Sequence, residues 1–249
     1  MLLFSKNCLV GKTTIRANIC GFAKGVQMTT TTNVLVTGGT GFVGSWMKKT
    51  KPDDCNFWGM SKDDYNKVAF ESSTGVNSVV HLAPIAPTNA IQCARLNNAR
   101  LLYCSSGIVY HPENDTEYRQ NKIRWEQECL ESGVDVVIAR PFTFMGSSKV
   151  WNALFKAARE GKPLEVYWIP TTRSFMHGAE MGRWMWAILL RGRSGQAYDV
   201  GSSKPVPIWT LAERIKALCK TDSEIRYLHK VVPMPVYLPE NTDRTKNLL

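Results

Sequence analysis

Asn33-Val34-Leu35-Val36-Thr37-Gly38-Gly39-Thr40-Gly41-Phe42-Val43-Gly44 decides the fold of this chain. The apolar β-branched run reads as a buried strand, the glycines behind it as a tight turn, and Phe42 onward as the start of a helix. That arrangement receives a dinucleotide pyrophosphate. A turn with positive φ, backbone N–H groups close to the phosphates and close helix–strand contact each favour a residue without a Cβ. The glycines fit G-x-x-G-x-x-G from Gly38 and G-x-G-x-x-G from Gly39, and both registers stay open.

Downstream, short apolar runs alternate with helical stretches. The pattern predicts a helix over Phe42–Lys49, a strand near Asn56–Gly59, a strand over Asn77–Leu82, a helix over Thr88–Asn97 and a strand over Leu101–Cys104. A helix over Thr116–Glu131 and a strand over Val134–Ala139 follow. The fold class expected is α/β, a Rossmann-like doubly wound parallel sheet with helices on both faces. Ligands of such sheets lie beyond the C-terminal ends of the strands, where His81–Pro84, Ser105-Ser106 and Arg140–Phe142 should converge. From Val150 the pattern changes: helix Val150–Glu160, strand Leu164–Trp168, a Trp-rich helix Glu180–Leu190, strand Tyr198–Val200 and an amphipathic helix Trp209–Cys219, then a proline-rich tail.

Composition excludes several classes. With 249 residues and 44% hydrophobic content, a packed core is expected, and no apolar run is long enough for a membrane-spanning helix. The seven cysteines are scattered and contain no C-x-x-C pair, which argues against a disulfide framework and a metal site and for a reducing, cytoplasmic setting. A net charge of +10 is spread along the chain, so a basic surface with an anionic small ligand is preferred to nucleic acid. Residues 1–27 carry Lys6, Lys12, Arg16 and Lys24 without an acid and form an extension. A disordered tail, an upstream start and a transit-type segment all fit it. Gly11-Lys12-Thr13 fails as a phosphate loop, because the leading glycine would fall on Lys6.

Tyr118 and Lys122 are four apart in a predicted helix, so the ammonium sits beside the phenol and should lower its pKa into a range useful for proton transfer. Ser106, at a strand end, could hydrogen-bond the same substrate oxygen. A Y-x-x-x-K pair also occurs as a plain surface helix pair, but among the eight tyrosines only Tyr118 has it.

These residues resemble, in order along the chain, the extended short-chain dehydrogenase/reductases, also called the NAD-dependent epimerase/dehydratase family. The glycine turn is similar to that family's cofactor turn, His81-Leu82-Ala83-Pro84 to its H-L-A-A strand end, and Ser105 to Tyr110 to its S-S-x-x-V-Y loop. Tyr118, Lys122 and Glu126 match its Y-x-x-x-K-x-x-x-E helix, and Ala139-Arg140-Pro141-Phe142 its A-R-P strand end. Arg173 to His177 match R-x-F-x-H, and Tyr198 to Gly201 match Y-N-V-G.

The resemblance covers about 32–249 and implies a Ser106, Tyr118, Lys122 catalytic triad. NAD or NADP would be held by Gly38, Gly39, Thr40, Gly41, Phe42, Val43, Gly44, Lys62, His81, Leu82, Ala83, Tyr118, Lys122, Pro141 and Phe142. A nucleotide-sugar would be bound by Ser105, Ser106 and Arg173, with Arg173 facing the diphosphate. No metal is implied, and a homodimer is compatible with the resemblance. Residues 28–145, rejoined by 174–201, would form the NAD(P)-binding domain, and 146–173 with 202–249 a small substrate-binding portion.

The departures shape the reading. The family's dehydratases carry an Asp-Glu pair where this chain has Gly107 and Ile108, so elimination of water is disfavoured. Three inter-motif stretches are short, which predicts loss of a strand–helix unit or of loops. Trp58-Gly59-Met60-Ser61-Lys62 lacks the acid that would select NAD, and Lys62 could pair with a 2′-phosphate, which somewhat favours NADP, while Asp63 and Asp64 could be shifted into the NAD-selecting role. The expected function is an epimerase or 4-ketosugar reductase. A dehydratase without its usual pair and a non-catalytic NAD(P)-binding protein are the alternatives.

Overall fold

A computed structural model of the chain describes residues 31–61, 75–229 and 236–249. The expected extension over 1–27 and the expected cofactor residue Lys62, with Asp63 and Asp64, lie outside the described residues. The opening run forms β1 (Thr32–Thr37), with Val34 and Val36 fully buried, and the glycine turn leads into α1 (Phe42–Lys49). Parallel partners are β2 (Cys55–Met60), β3 (Ser78–His81), β4 (Arg100–Cys104), β5 (Val136–Pro141) and, much later in the chain, β9 (Ala197–Val200). The sheet order is β2-β1-β3-β4-β5-β9.

That order grows away from β1 in both directions, so the chain reverses its winding between β2 and β3 and opens a crevice at the C-terminal ends of β1 and β3. A doubly wound sheet of order 3-2-1-4-5-6 has two strands on the β2 side. Among the described residues this chain has β2 alone there, in keeping with the short spacing between α1 and His81.

Both faces of the sheet are covered, and so its central strands read as unbroken apolar runs. On one face α1 and α5 (Gly178–Arg191) bring Met47, Met181, Trp184, Met185 and Ile188 over Val34, Val80, Leu102 and Val137. A Cβ on Gly178 would strike the Trp46 ring and one on Gly182 would strike Thr50, so the two helices meet at glycines. On the other face α2 (Thr88–Leu96) and α3 (Glu117–Glu131) pack Ile91, Ala94, Trp125 and Cys129 over Val79, Leu101, Tyr103 and Ile138. Each fully buried Val, Leu, Ile or Met among them contributes about 1.5–3 kcal/mol of transfer free energy.

Helix α3 begins where the Thr116 side chain accepts a hydrogen bond from the Arg119 N–H, with Glu117 in the first turn, both favourable at an N-terminus. The strand expected over Val134–Ala139 runs two residues later. Gly133, at φ 74°, and the Asp135–Arg100 ion pair of 2.8 Å hold the turn before it, and Arg140 and Pro141 join the strand.

The rest of the chain builds a smaller layer. β8 (Thr172–Met176) pairs with β10 (Pro205–Pro207) antiparallel and with β6 (Thr143–Phe144) and β12 (Val236–Tyr237) parallel. β7 (Leu164–Tyr167) pairs with β11 (Ile225–Leu228). Helices α4 (Lys149–Arg159) and α6 (Ile208–Cys219) close a third core of Leu154, Leu164, Phe175, Ile208 and Ile215, and α7 (Asp243–Lys246) follows near the end. Among the described residues no helix is long and apolar enough to cross a membrane.

Candidate active site

The glycine turn resolves the open register. Gly38 has φ 71°, and a Cβ there would lie 3.0 Å from the Ala83 backbone nitrogen. The Gly41 N–H donates to the Gly38 carbonyl at 3.0 Å, and Gly41 is the extended N-cap of α1. A Cβ on Gly44 would fall 2.5 Å from the Gly39 oxygen. The tight turn, the cap and the helix–strand contact therefore belong to Gly38, Gly41 and Gly44, while Gly39 lies against β2, a Cβ there reaching to 2.6 Å from the Gly59 Cα. Thr40 and Gly41 are exposed at the tip, and Phe42 and Val43 pack against the core. No side chain caps the helix and no acid stands in its first turn, so its N–H groups and dipole present an uncompensated positive end that suits a pyrophosphate.

His81 ends β3 beside this turn, fully buried. Its Nε2 lies 3.0 Å from the Ile85 carbonyl oxygen, which can only accept, so Nε2 carries the proton and Nδ1 accepts from the Thr37 hydroxyl at 2.9 Å. Burial pulls its pKa down to about 4, so the ring is neutral at physiological pH. It stacks on Tyr103 with ring centroids 6.0 Å apart. Leu82 and Ala83 follow, the Leu82 N–H donating to the Thr37 carbonyl at 3.1 Å.

Tyr103 links the turn to the second half of the site, because Lys122 Nζ stands 5.0 Å from its ring centroid. Lys122 is buried, its Nζ also 5.8 Å from the Tyr118 ring and 5.7 Å from the Trp125 ring, and it donates to the Cys104 carbonyl at 2.8 Å. Burial lowers its pKa, with the Cys104 thiol and Glu126 opposing. Ser106, just past β4, is buried, its Oγ accepts from the Ile108 N–H at 3.3 Å, and it lies close enough to the Tyr118 phenol to favour its ionised form. Ser105 is buried too, and its hydroxyl has no hydrogen-bond partner among the described residues.

One expectation is corrected. Lys122 does not depress the Tyr118 pKa in this arrangement, since its ammonium is turned to the Cys104 carbonyl. The Tyr118 pKa is raised by burial, although the side chain is half exposed, and Ser106 opposes that rise.

Around this cluster lies a partly buried polar network whose members appear in the sequence only as motif letters without roles. Arg140 Nε and Nη2 donate to the two Glu126 oxygens at 2.9 and 2.6 Å, a bidentate pair. Arg140 Nη1 donates to the Tyr110 hydroxyl at 2.7 Å, and Tyr110 donates to Asp199 Oδ1 at 2.9 Å. Asp199 Oδ2 accepts the Glu240 and Asn241 N–H groups, each at 3.0 Å. The network ties α3 to β5, the loop after β4, β9 and the C-terminal segment, and so fixes Tyr118 and Lys122 against Ser106.

Phe142, beyond Pro141 at the end of β5, faces this cluster: a Cβ on Gly107 would lie 2.5 Å from its ring. The same ring lies 4.9 Å from that of Tyr237, a residue no sequence pattern singled out. Tyr237 is buried, its hydroxyl 3.3 Å from Ser106 Oγ, and the Arg173 guanidinium stands 5.9 Å from its ring centroid. Arg173 Nη1 also donates to the Thr172 carbonyl at 2.9 Å, and burial lowers its pKa. Gly38–Gly44, His81–Ala83, Ser105, Ser106, Tyr118, Lys122, Pro141 and Phe142 thus gather along one sheet edge, with Arg173 joined through Tyr237. No group of three or more His, Cys, Asp or Glu suited to a metal is found among the described residues.

A Rossmann-type sheet whose C-terminal edge carries a glycine turn and a Ser, Tyr and Lys cluster defines a nucleotide-binding protein of the short-chain dehydrogenase/reductase kind. The model of the NAD dependent epimerase/dehydratase family matches residues 72–201, just over half of the sequence, and the chain belongs to that family. Among solved structures it resembles dTDP-glucose 4,6-dehydratase from Bacillus anthracis in complex with NAD (TM-score 0.70, 18% identity, covering 87% of this chain and 89% of that one). It also resembles UDP-N-acetylglucosamine 4-epimerase from Bacillus cereus (TM-score 0.70, 17% identity, 87% and 90%). A third is RMD from Pseudomonas aeruginosa complexed with NADPH (TM-score 0.69, 21% identity, 87% and 92%).

Proposed function

We propose that this chain is an NAD(P)-dependent oxidoreductase of a nucleotide-activated sugar, acting as an epimerase through a 4-keto intermediate or as a 4-ketosugar reductase. The observation that carries the reading is the placement of Ser106, Tyr118 and Lys122 together at the sheet edge that holds the glycine turn. The bare helix end and the backbone at Gly38–Gly44 fit a pyrophosphate, and His81–Ala83, Pro141 and Phe142 would line the rest of the dinucleotide site. When bound, the nicotinamide gives or takes the hydride. Tyr118 gives or takes the proton of the sugar hydroxyl at the same carbon, and Ser106 polarises that oxygen. Lys122, anchored on Cys104, has two further N–H groups for ribose hydroxyls.

Arg173 would bind the substrate diphosphate, with Ser105 beside the sugar. The division of labour follows: residues 28–145 with 174–201 hold the cofactor, and 146–173 with 202–249 the substrate. Elimination of water has no support, because Gly107 and Ile108 cannot carry protons and the Phe142 ring fills the space a side chain at 107 would need. Among the described residues β2 ends in Gly59-Met60 and is followed by Ser61, with no acid there for a ribose hydroxyl, which favours NADP.

The test is twofold. An epimerase retains its cofactor through purification, and a reductase consumes NAD(P)H with a 4-keto-6-deoxy nucleotide-sugar. Tyr118→Phe should then lower turnover by about 10²- to 10⁴-fold in a protein that still binds cofactor. Cofactor binding without turnover on any nucleotide-sugar by the parent protein would overturn the enzyme reading in favour of a non-catalytic NAD(P)-binding protein.

A further inference from the structure

A second cleft lies at the opposite edge of the large sheet. β9 runs parallel to β5 and, through the sheet, to β1, so its first residue marks the edge away from the glycine turn. The two edges are a strand length apart, about 13–20 Å for four to six residues. There Arg191 at the end of α5, Arg193 in the turn before β9 and Arg244 of α7 line a cleft of about 530 Å³, with Ser194, Gln196 and Asn247. Among the described residues no Asp or Glu side chain lines it. Three guanidiniums gathered around one cleft repel one another, and an anion between them relieves the repulsion.

Two of the guanidiniums are pinned. Arg191 Nη1 donates to the main-chain oxygens of Leu248 and Leu249 at 2.5 and 3.1 Å, and Arg244 Nη1 donates to Gln196 Oε1 and the Ala197 carbonyl, each at 3.2 Å. Each fork keeps further N–H groups on its other nitrogens. The Arg193 backbone N–H donates to the Tyr198 hydroxyl at 2.8 Å, and among the described residues its side chain has no hydrogen bond or ion pair. Neighbouring acids are committed elsewhere, Asp135 to Arg100 at 2.8 Å and Asp243 to Lys246 at 3.0 Å. The carbonyls at the end of α5 that would oppose an anion, Leu189 and Gly192, accept from Arg100 at 3.2 and 2.9 Å.

We propose that this cleft binds a phosphoryl anion, either free phosphate or pyrophosphate or the phosphate of a sugar phosphate, at a site separate from the reacting edge. A guanidinium fork matches two phosphoryl oxygens, and several forks suit a group with two or more negative charges. A nucleobase has no face to stack on, since the aromatic residue of the lining, Tyr198, is buried. None of these residues belongs to the glycine turn or to the Ser106, Tyr118 and Lys122 cluster, so the inference stands apart from the proposed reaction.

The experiment is an NMR titration of the full chain, with isotope-labelled arginine, by inorganic pyrophosphate. The Arg193 and Arg244 side-chain resonances, each assigned by its loss in Arg193→Gln or Arg244→Gln, should shift together along one saturable curve. Arg214, exposed on α6, serves as the control for a diffuse ion atmosphere, and Arg173 reports separately on pyrophosphate at the reacting edge. Arg193→Gln, read at Arg244, should weaken the affinity about tenfold or more, the loss of one charge-assisted hydrogen bond. Arg244→Gln, read at Arg193, should do the same, whereas Arg214→Gln removes an equal charge elsewhere and should change the affinity by less than about twofold. Competition then separates the sources: displacement at lower concentration by glucose 1-phosphate than by inorganic phosphate supports a sugar phosphate, and the reverse order a free phosphate. Arg193 and Arg244 resonances that stay in place up to about 10 mM pyrophosphate overturn the inference. So does movement in step with Arg214, or an affinity that neither Arg193→Gln nor Arg244→Gln changes.

Discussion

Replacing Glu126 by Gln keeps the shape of a buried side chain and removes its charge. In the folded protein both carboxylate oxygens of Glu126 accept from Arg140, at 2.9 and 2.6 Å, with the two side chains 9% and 20% exposed. The pair raises the Arg140 pKa against the cost of burying it, so the guanidinium depends on this partner. Breaking a buried pair by neutralising one member costs about 3–5 kcal/mol, because the other charge is left in a poor solvent. The amide oxygen keeps one hydrogen bond and Tyr110 keeps another, which places the expected loss near the low end, about 3 kcal/mol. For a chain of this size about 2–4 °C accompanies each kcal/mol, so the melting temperature should fall by about 6–12 °C. Calorimetry and urea unfolding read this directly. Glu126→Leu combined with Arg140→Leu should recover much of the loss, since an apolar pair leaves no stranded charge. A Glu126→Gln protein melting within about 2 °C of the parent would refute the claim that this pair fixes α3 against β5.

Three further outcomes follow from the same geometry. His81 is neutral when folded, with its pKa lowered to about 4 from 6.5, so the unfolded chain takes up the proton first and stability should fall as pH drops from about 6.5 to 4, by up to about 3 kcal/mol. Above that window His81 contributes no slope, and urea unfolding of His81→Asn should show a flatter dependence within it; an unchanged slope contradicts the assignment. Gly44→Ala places a methyl group 2.5 Å from the Gly39 oxygen and should cost about 1–3 kcal/mol while weakening NAD(P) binding, both measurable by thermal melts with and without cofactor. Gly107→Asp must displace the Phe142 ring and should destabilise by about 1–3 kcal/mol without creating dehydratase activity; a stable variant that eliminates water would contradict the packing argument.

The parts of the fold that were legible in the chain are those with a local cause. Val34, Val36, Val79, Val80, Leu101 and Leu102 sit in short β-branched or apolar runs because their strands are covered on both faces, and the glycines stand where backbone meets backbone. Tyr118, Lys122 and Glu126 were visible through the four-residue period of a helix face, on which Lys122 and Glu126 are buried although both can carry charge, while Tyr118 stays half exposed. Helix spacing places Lys122 near Tyr118, but it says nothing of the Cys104 carbonyl that captures the ammonium, and so the direction of the Tyr118 pKa was misread. Tyr237 lies 131 positions from Ser106, in a strand of two residues with no period to detect. The Arg140, Glu126, Tyr110 and Asp199 network spans four elements, and only folding brings its members together.

The most direct test of the central claim is a single-turnover experiment. The purified protein is mixed, loaded with reduced nicotinamide cofactor, with a 4-keto-6-deoxy nucleotide-sugar and, loaded with oxidised cofactor, with UDP-hexoses, and the nicotinamide absorbance and sugar products are followed in parent and Tyr118→Phe. The account predicts stereospecific hydride transfer to the ketosugar, or interconversion of hexose epimers with bound cofactor, in either case abolished by Tyr118→Phe. Cofactor that binds and never exchanges hydride with any sugar in the parent protein would contradict it.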